Sequence, residues 1–156
     1  MARKTCSKCG AQAGLLGGSF WANFRGQNYC IGCAQTVVAE GVKSVIATTS
    51  DGVHGHDVMK YIDIESVEVV VGTGMISEFA GDISDFFGTR SGVFEQKLQR
   101  AKRTALDKLK FIAFQKGGNA VIAVDLDYTE FSGNRVGVIV NGTIVEVVKK
   151  SAPTVM

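Results

Sequence analysis

The chain has one proline and two histidines in 156 residues, and none of its four cysteines lies beyond position 33. With so little proline and a 46% hydrophobic share, it is not a low-complexity or disordered polypeptide. No apolar run approaches the roughly 18 residues a membrane helix needs. Met1 to Cys6 leads into no apolar stretch, so no secretory signal is expected and the cytoplasm is the default location. Two histidines, with all four cysteines read below as zinc ligands, leave no Cys–His pair for nucleophilic catalysis, and no nucleophile-elbow pattern supports a serine triad. No acidic residue occurs in residues 1–39, which carry Arg3, Lys4, Lys8 and Arg25.

The formal net charge is only +2, which by itself does not suggest a nucleic-acid binder. The charges are nonetheless segregated. Residues 51–95 hold nine acids against Lys60 and Arg90, and residues 97–116 hold seven bases against Asp107 alone. Two such blocks can attract each other within a subunit or between subunits, and salt weakens that attraction without abolishing it at contact distance.

The cysteines stand as Cys6-Ser7-Lys8-Cys9 and Cys30-Ile31-Gly32-Cys33, with 20 residues between the pairs. Two C-x2-C pairs at this spacing predict a structural zinc site on Cys6, Cys9, Cys30 and Cys33. Each short loop aims two thiolates at one ion, and four thiolates close a tetrahedron with no position left for substrate. Gly10 and Gly32 lie where tight turns would need them. A disulfide pair would call for an oxidising compartment, and a redox C-x-x-C would not come twice outside a βαβ setting.

Between the pairs, Phe20 to Phe24, a turn at Arg25–Asn28 and Tyr29 read as a hairpin. Ala34 to Glu40 then reads as a short helix stopped by Gly41. Knuckle, hairpin and a second knuckle opening a helix resemble a treble-clef or zinc-ribbon finger over residues 1–41. Trp21, Phe24 and Tyr29 are read first as the core of so small a module, with a base-stacking platform as the alternative.

Residues 42–150 read as a second, α+β domain, followed by a tail at 151–156. Val45–Thr49 is strand-like, Ser50–His56 is a loop, and Val58–Val71 is one long or broken strand. Gly72-Thr73-Gly74 breaks it, and Met75–Phe87 carries a helical apolar stripe. Half a dinucleotide fingerprint at these glycines lacks its third glycine and its βαβ context. After the loop Gly88–Gly92, with Ser91 as a cap, a long helix runs from about Val93 to Lys116. Phe94, Leu98, Ala101, Ala105, Leu109, Ile112 and Ala113 share one face. Leu106, Phe111 and Phe114 fall outside it, which calls for a second neighbour, in a domain this small another subunit. Strands at Ala120–Phe131 and Val136–Lys149 form a hairpin through Ser132–Arg135. Strands that do not alternate regularly with helices suggest α+β rather than a doubly wound sheet.

Gly88-x-Arg90-Ser91-Gly92-x-Phe94-Glu95, the long helix, Gly118-Asn119-Ala120-Val121-Ile122-x-Val124 with Asp127-Tyr128, and Gly142-Thr143-Ile144-Val145 follow in order. Over about residues 44–148 this resembles the YbjQ-like family of putative heavy-metal-binding proteins. The resemblance implies a small dodecin-like β-β-α-β-β fold assembled as a ring-shaped homopentamer. Two features depart from the family pattern. The cysteine module lies outside its core, and the long helix is more basic than the mixed-charge helix expected.

Other constellations are weaker. His54 and His56, two apart in an extended loop, can point to one side, and Asp125 and Asp127 alternate onto one strand face. These four are the candidates for a second metal, although a solvated turn and a solvated strand face are the simpler readings. Arg90 and Ser91 beside a helix start, with Lys102 and Arg103, are candidates for contact with an anion or nucleic acid. The leading expectation is a non-enzymatic, zinc-binding homo-oligomer with a scaffold or metal-handling role. A nucleic-acid-associated module using finger and basic helix comes second, and an enzyme with an inter-subunit cleft last.

Overall fold

The computed structural model describes residues 4–13, 21–71, 89–131 and 135–151, without the side chains of 89–93 and 131. The expected breaker Gly72–Gly74, the helix Met75–Phe87 and the loop residues 132–134 lie outside the described residues.

The amino-terminal part is a knuckle, a hairpin and a helix. Residues 4–13 close on themselves through a bridge between Thr5 and Gln12. Strands β1 (Trp21–Phe24) and β2 (Gln27–Cys30) are antiparallel, with Trp21 opposite Cys30 and Phe24 opposite Gln27. Arg25 and Gly26 join them with φ of 51° and 76°. Two successive positive φ values twist a two-residue turn in the sense that hairpin strands require, and glycine takes such an angle without steric cost. The hairpin therefore falls where the sequence predicts it.

Helix α1 spans Ile31–Ser44, three residues earlier and four residues later than expected. Gly41 does not stop it, because this glycine is a contact. A Cβ placed there would lie 2.3 Å from Cε2 of Phe114. Packing against that ring outweighs the low helix propensity of glycine. Gly32 likewise sits inside the helix rather than at a turn.

Buried Val45 then leads into a four-stranded mixed sheet. Its strands are β3 (Ile46–Ala47), β4 (His56–Val71), β5 (Ala120–Phe131) and β6 (Arg135–Lys149), in the spatial order β3-β5-β6-β4. Only the β3–β5 pair is parallel. Helix α2 (Thr89–Gln115) lies across one face. It starts four residues before Val93, so Arg90 and Ser91 belong to its first turn and Ser91 is not a cap. Extending an existing helix costs little once its nucleus has formed, even through Thr, Ser and Gly.

The apolar stripe of α2 behaves as the spacing predicts. Ala101, Ala105, Leu109 and Ala113 are buried against Val67 of β4, Val121 of β5 and Val138, Val140 and Ile144 of β6. On the opposite face, Ala120, Ile122, Val145 and Val147 are covered by Val53 and Val58. Phe114 does have a second neighbour, but within this chain. Its ring packs on Phe24 of the hairpin at 6.0 Å between centroids and fills the space at Gly41.

Strand β3 is shorter than Val45–Thr49. Between Ile122 and Asp125 strand β5 bulges, with Ala123 at φ 50°. There the N–H groups of Ala123 and Val124 donate to the carbonyls of Ser50 and Thr48. Residues 48–50 thus stay on the edge of β5 but out of ladder register, which ends β3 after two residues.

Candidate metal centre

The two cysteine pairs are presented by different local devices that converge. In the knuckle, Cys6 N–H donates to the Ala11 carbonyl at 2.8 Å, and Gly10 N–H donates back to the Cys6 carbonyl at 2.9 Å. Gly10 completes the turn at φ 72°, an angle other residues adopt only with strain. Ser7 N–H donates to Asn28 O at 2.9 Å, which fastens the knuckle to β2. The second pair rides on α1. Cys30 is its N-cap in extended conformation, and Cys33 lies in the first turn, which contains no acidic residue.

This arrangement brings all four Sγ atoms within 4.8 Å of one another. Sγ of Cys9 and Sγ of Cys30 are 3.8 Å apart. A tetrahedron with metal–sulfur bonds of about 2.3 Å has edges of about 3.8 Å, whereas a disulfide brings its sulfurs to about 2.05 Å. All four are free cysteines, and the donor set fits one soft tetrahedral cation.

The electrostatics favour a cation as well. The Cys30 backbone N–H, opposed by burial and helped by the N–H groups of Cys9 and Lys8, lowers the Cys6 thiol to about 6. Side-chain hydrogen bonding with Cys30 first, then with Cys9, and burial after them push the Cys33 thiol up to about 12. One thiolate thus forms readily, and the last resists ionisation until a cation offsets its neighbours. The N-terminus of α1 adds the positive end of its dipole on the same side.

The centre is tied to the larger sheet through one residue that sequence reasoning did not single out. Arg25, in the hairpin turn, donates from Nη2 to Gly118 O at 2.9 Å and from Nε to Phe114 O at 3.3 Å. Its guanidinium carbon sits 4.9 Å from the centroid of the Phe114 ring. A cation therefore caps the carbonyl end of α2. Its only sequence signal is a cation in a hairpin turn. Of the three aromatics read as core, Phe24 lies between Tyr29 and Phe114. Trp21 is part-buried, and its Nε1 is covered with no hydrogen-bond partner.

The remaining candidates do not form a comparable group. Among the described residues, no set of three or more His, Cys, Asp or Glu donors converges besides the cysteines. His56 directs Nδ1 at the carbonyl of His54, 3.1 Å away. Asp125 and Asp127 are exposed on β5. Lys102 and Arg103 are exposed on α2, while the side chains of Arg90 and Ser91 lie outside the described residues. No described helix is long and apolar enough to cross a membrane.

The fold is thus mixed α+β with a four-cysteine cluster at its amino-terminal end. Residues 45–148 match the YbjQ family, described as "putative heavy-metal-binding". The chain belongs to this family. A UPF0145 protein of Bacillus cereus strain ATCC 14579 is 36% identical over 103 residues, which is 66% of this chain and 100% of the relative. A UPF0145 protein of Bacillus thuringiensis subsp. konkukian strain 97-27 is 35% identical over the same shares. A crystal structure of a DUF74-family protein from Pediococcus pentosaceus ATCC 25745 is also similar. It has 19% identity and a TM-score of 0.38, covering 67% of this chain and 98% of that one. The family match begins after Cys33, so the cysteine cluster stands outside it.

Proposed function

We propose that the protein is a non-enzymatic, zinc-binding homo-oligomer of the cytoplasm, in which a four-thiolate finger is mounted on a dodecin-like, ring-forming α+β domain. The observation that carries this reading is the convergence of four Sγ atoms within 4.8 Å. Thiolates select soft or borderline cations, and zinc suits a tetrahedral S4 set without redox chemistry. Cys6, Cys9, Cys30 and Cys33 would hold the ion, and zinc would supply folding energy to the module. A site closed by four ligands has no position for a reacting water, so its role is structural or metal-holding. Elemental analysis of purified protein tests this. One zinc per chain is expected, lost in Cys30→Ser, and a metal-free preparation would overturn the reading.

Assembly is the second half of the proposal. Among the described residues, strand β4 is an edge of 16 residues that exposes Met59, Tyr61 and Ile64, the last at 77%. Long apolar edges invite pairing with another chain. The outer edge of β5 just beyond Val121 is instead covered by residues 48–50, whose Thr48 and Ser50 carbonyls accept from the Val124 and Ala123 N–H groups. One long open edge meeting a different surface of the next subunit suits a heterologous contact repeated until a ring closes. By the family resemblance that ring is a homopentamer.

A nucleic-acid role is the alternative. Arg100, Lys102, Arg103 and Lys108 are exposed on α2, and none takes part in the ion pairs among the described residues. Under that reading, binding of a short RNA or DNA falls steeply with salt, and neutralising Lys102 and Arg103 flattens the dependence. Salt-independent or absent binding removes the alternative.

A further inference from the structure

Where β3 stops and β5 bulges, a cleft of about 530 Å³ opens between the sheet edge and α2. That volume falls within the roughly 300–1,000 Å³ of small-molecule sites. Its apolar lining includes the half-buried Leu106 of α2 with Val124 and Leu126 of β5. Lys102, Arg103 and Lys110 from α2 and the hydroxyl-bearing Thr48 and Thr49 also line it. Asp107 and Asp125 also line it, so the charged lining is three cations against two carboxylates.

The pairing state of these charges is informative. Arg103 and Asp107 are one turn apart on α2, a spacing at which opposite charges commonly meet. Yet the ion pairs among the described residues are Lys8–Glu40, Lys116–Asp63, Lys116–Glu65 and Lys150–Asp57, none of which touches the cleft. The lining cations are therefore available to a ligand. The bulge beside them places Ala123 at φ 50°, a left-handed angle unfavourable for alanine. Held outliers of this kind concentrate at ligand sites, and bulges re-aim the strand next to them.

We propose that this cleft binds a small amphipathic anion, a compact apolar body bearing one anionic headgroup. The apolar lining takes the body, and Lys102, Arg103 and Lys110 take the headgroup by charge-assisted hydrogen bonds. Excess positive charge in the lining favours this class over an amphipathic cation. The inference stands apart from the cysteine site and survives if zinc does not.

The test titrates the full-length, metal-loaded protein with octanoate by calorimetry, with octan-1-ol and acetate as matched probes of body and headgroup alone. Saturable one-to-one octanoate binding is expected, with octan-1-ol at least about tenfold weaker for the lost charge-assisted contact and acetate at least about tenfold weaker for the lost apolar burial. Amide shifts should map to Thr48, Thr49 and residues 124–126. Lys102→Gln with Arg103→Gln, both exposed, should keep the fold by circular dichroism and weaken octanoate at least about tenfold. Any of four results overturns the proposal: no saturable binding, equal binding of octan-1-ol, shifts confined to other surfaces, or an unaffected double variant. Displacement of octanoate only by a second copy of the chain, read as binding that vanishes when the oligomer forms, overturns it too and makes the cleft a subunit contact.

Discussion

Residues that meet through sequence-local devices were the legible ones. The four cysteines could be assigned because a C-x2-C loop fixes its own geometry, whatever surrounds it. Arg25 and Phe114 could not, since 89 positions separate them and only the docking of the hairpin on α2 makes them partners. Gly41 shows the same limit, as a glycine read as a stop is in fact a contact. Two glycine substitutions separate the cases. In Gly41→Ala the new Cβ meets buried ring atoms of Phe114 at 2.3–2.7 Å, and overpacking of this kind costs about 1–3 kcal/mol. Gly32→Ala meets nothing within 4 Å and should be neutral or stabilising by up to ~1 kcal/mol. Denaturant midpoints of the metal-loaded proteins decide, and equal effects would contradict the packing argument. A charged cluster gives a pH signature. Lys116 donates to Asp63 and Glu65, so the attraction between acidic block and basic helix operates within one chain. Lys116, and then the Ile64 N–H, lower the Asp63 carboxyl, and Asp63, then Glu65, raise the Lys116 amine. Stability from Asp63 is complete above about pH 4 and is lost as pH falls through the lowered folded value. Stability from Lys116 is complete below about pH 10 and is lost as pH rises through its raised value. The gap in stability between wild type and Lys116→Ala should therefore hold at neutral pH and shrink in acid below about pH 4. A gap that persists at pH 2 would contradict it.

Elements with strong local patterns emerged where expected. The hairpin β1–β2, the strands β5 and β6 and the buried face of α2 are all readable from turn residues, β-branched runs and helical spacing. The ends of elements were less legible, because tertiary contacts set them. Helix α1 outruns its glycine by packing on Phe114, and β3 is cut to two residues by a bulge on its partner. These contacts also decide how far damage spreads from the metal centre. The hairpin and α1 contribute Phe24, Val37 and Val38 to the main core cluster, and Arg25 caps α2. Loss of metal in Cys30→Ser should unfold the finger and loosen the last turn of α2, while β5 and β6 keep their ladder. Hydrogen exchange checks this. Amides of residues 116–118 should exchange faster in the variant, whereas Val138, Val140 and Ile144 stay protected. Unchanged exchange at 116–118 would show that finger and helix are uncoupled.

At the scale of the whole molecule, sequence periodicity located the long strands and the long helix but could not say which surfaces stay open, because exposure is a property of the finished sheet. The open edge of β4 makes assembly testable. Ile64→Lys places a charge at a residue 77% exposed in the single chain, so it should leave the subunit folded yet shift the oligomer toward monomer in light scattering. A variant that assembles like wild type would place the contact elsewhere. The central claim remains the four-thiolate metal centre, and native mass spectrometry of the intact protein with metal analysis tests it most directly. One zinc per chain in a closed ring is expected, with Cys30→Ser losing the metal. A chain without stoichiometric metal, or one whose cysteines are joined in a disulfide, would contradict it.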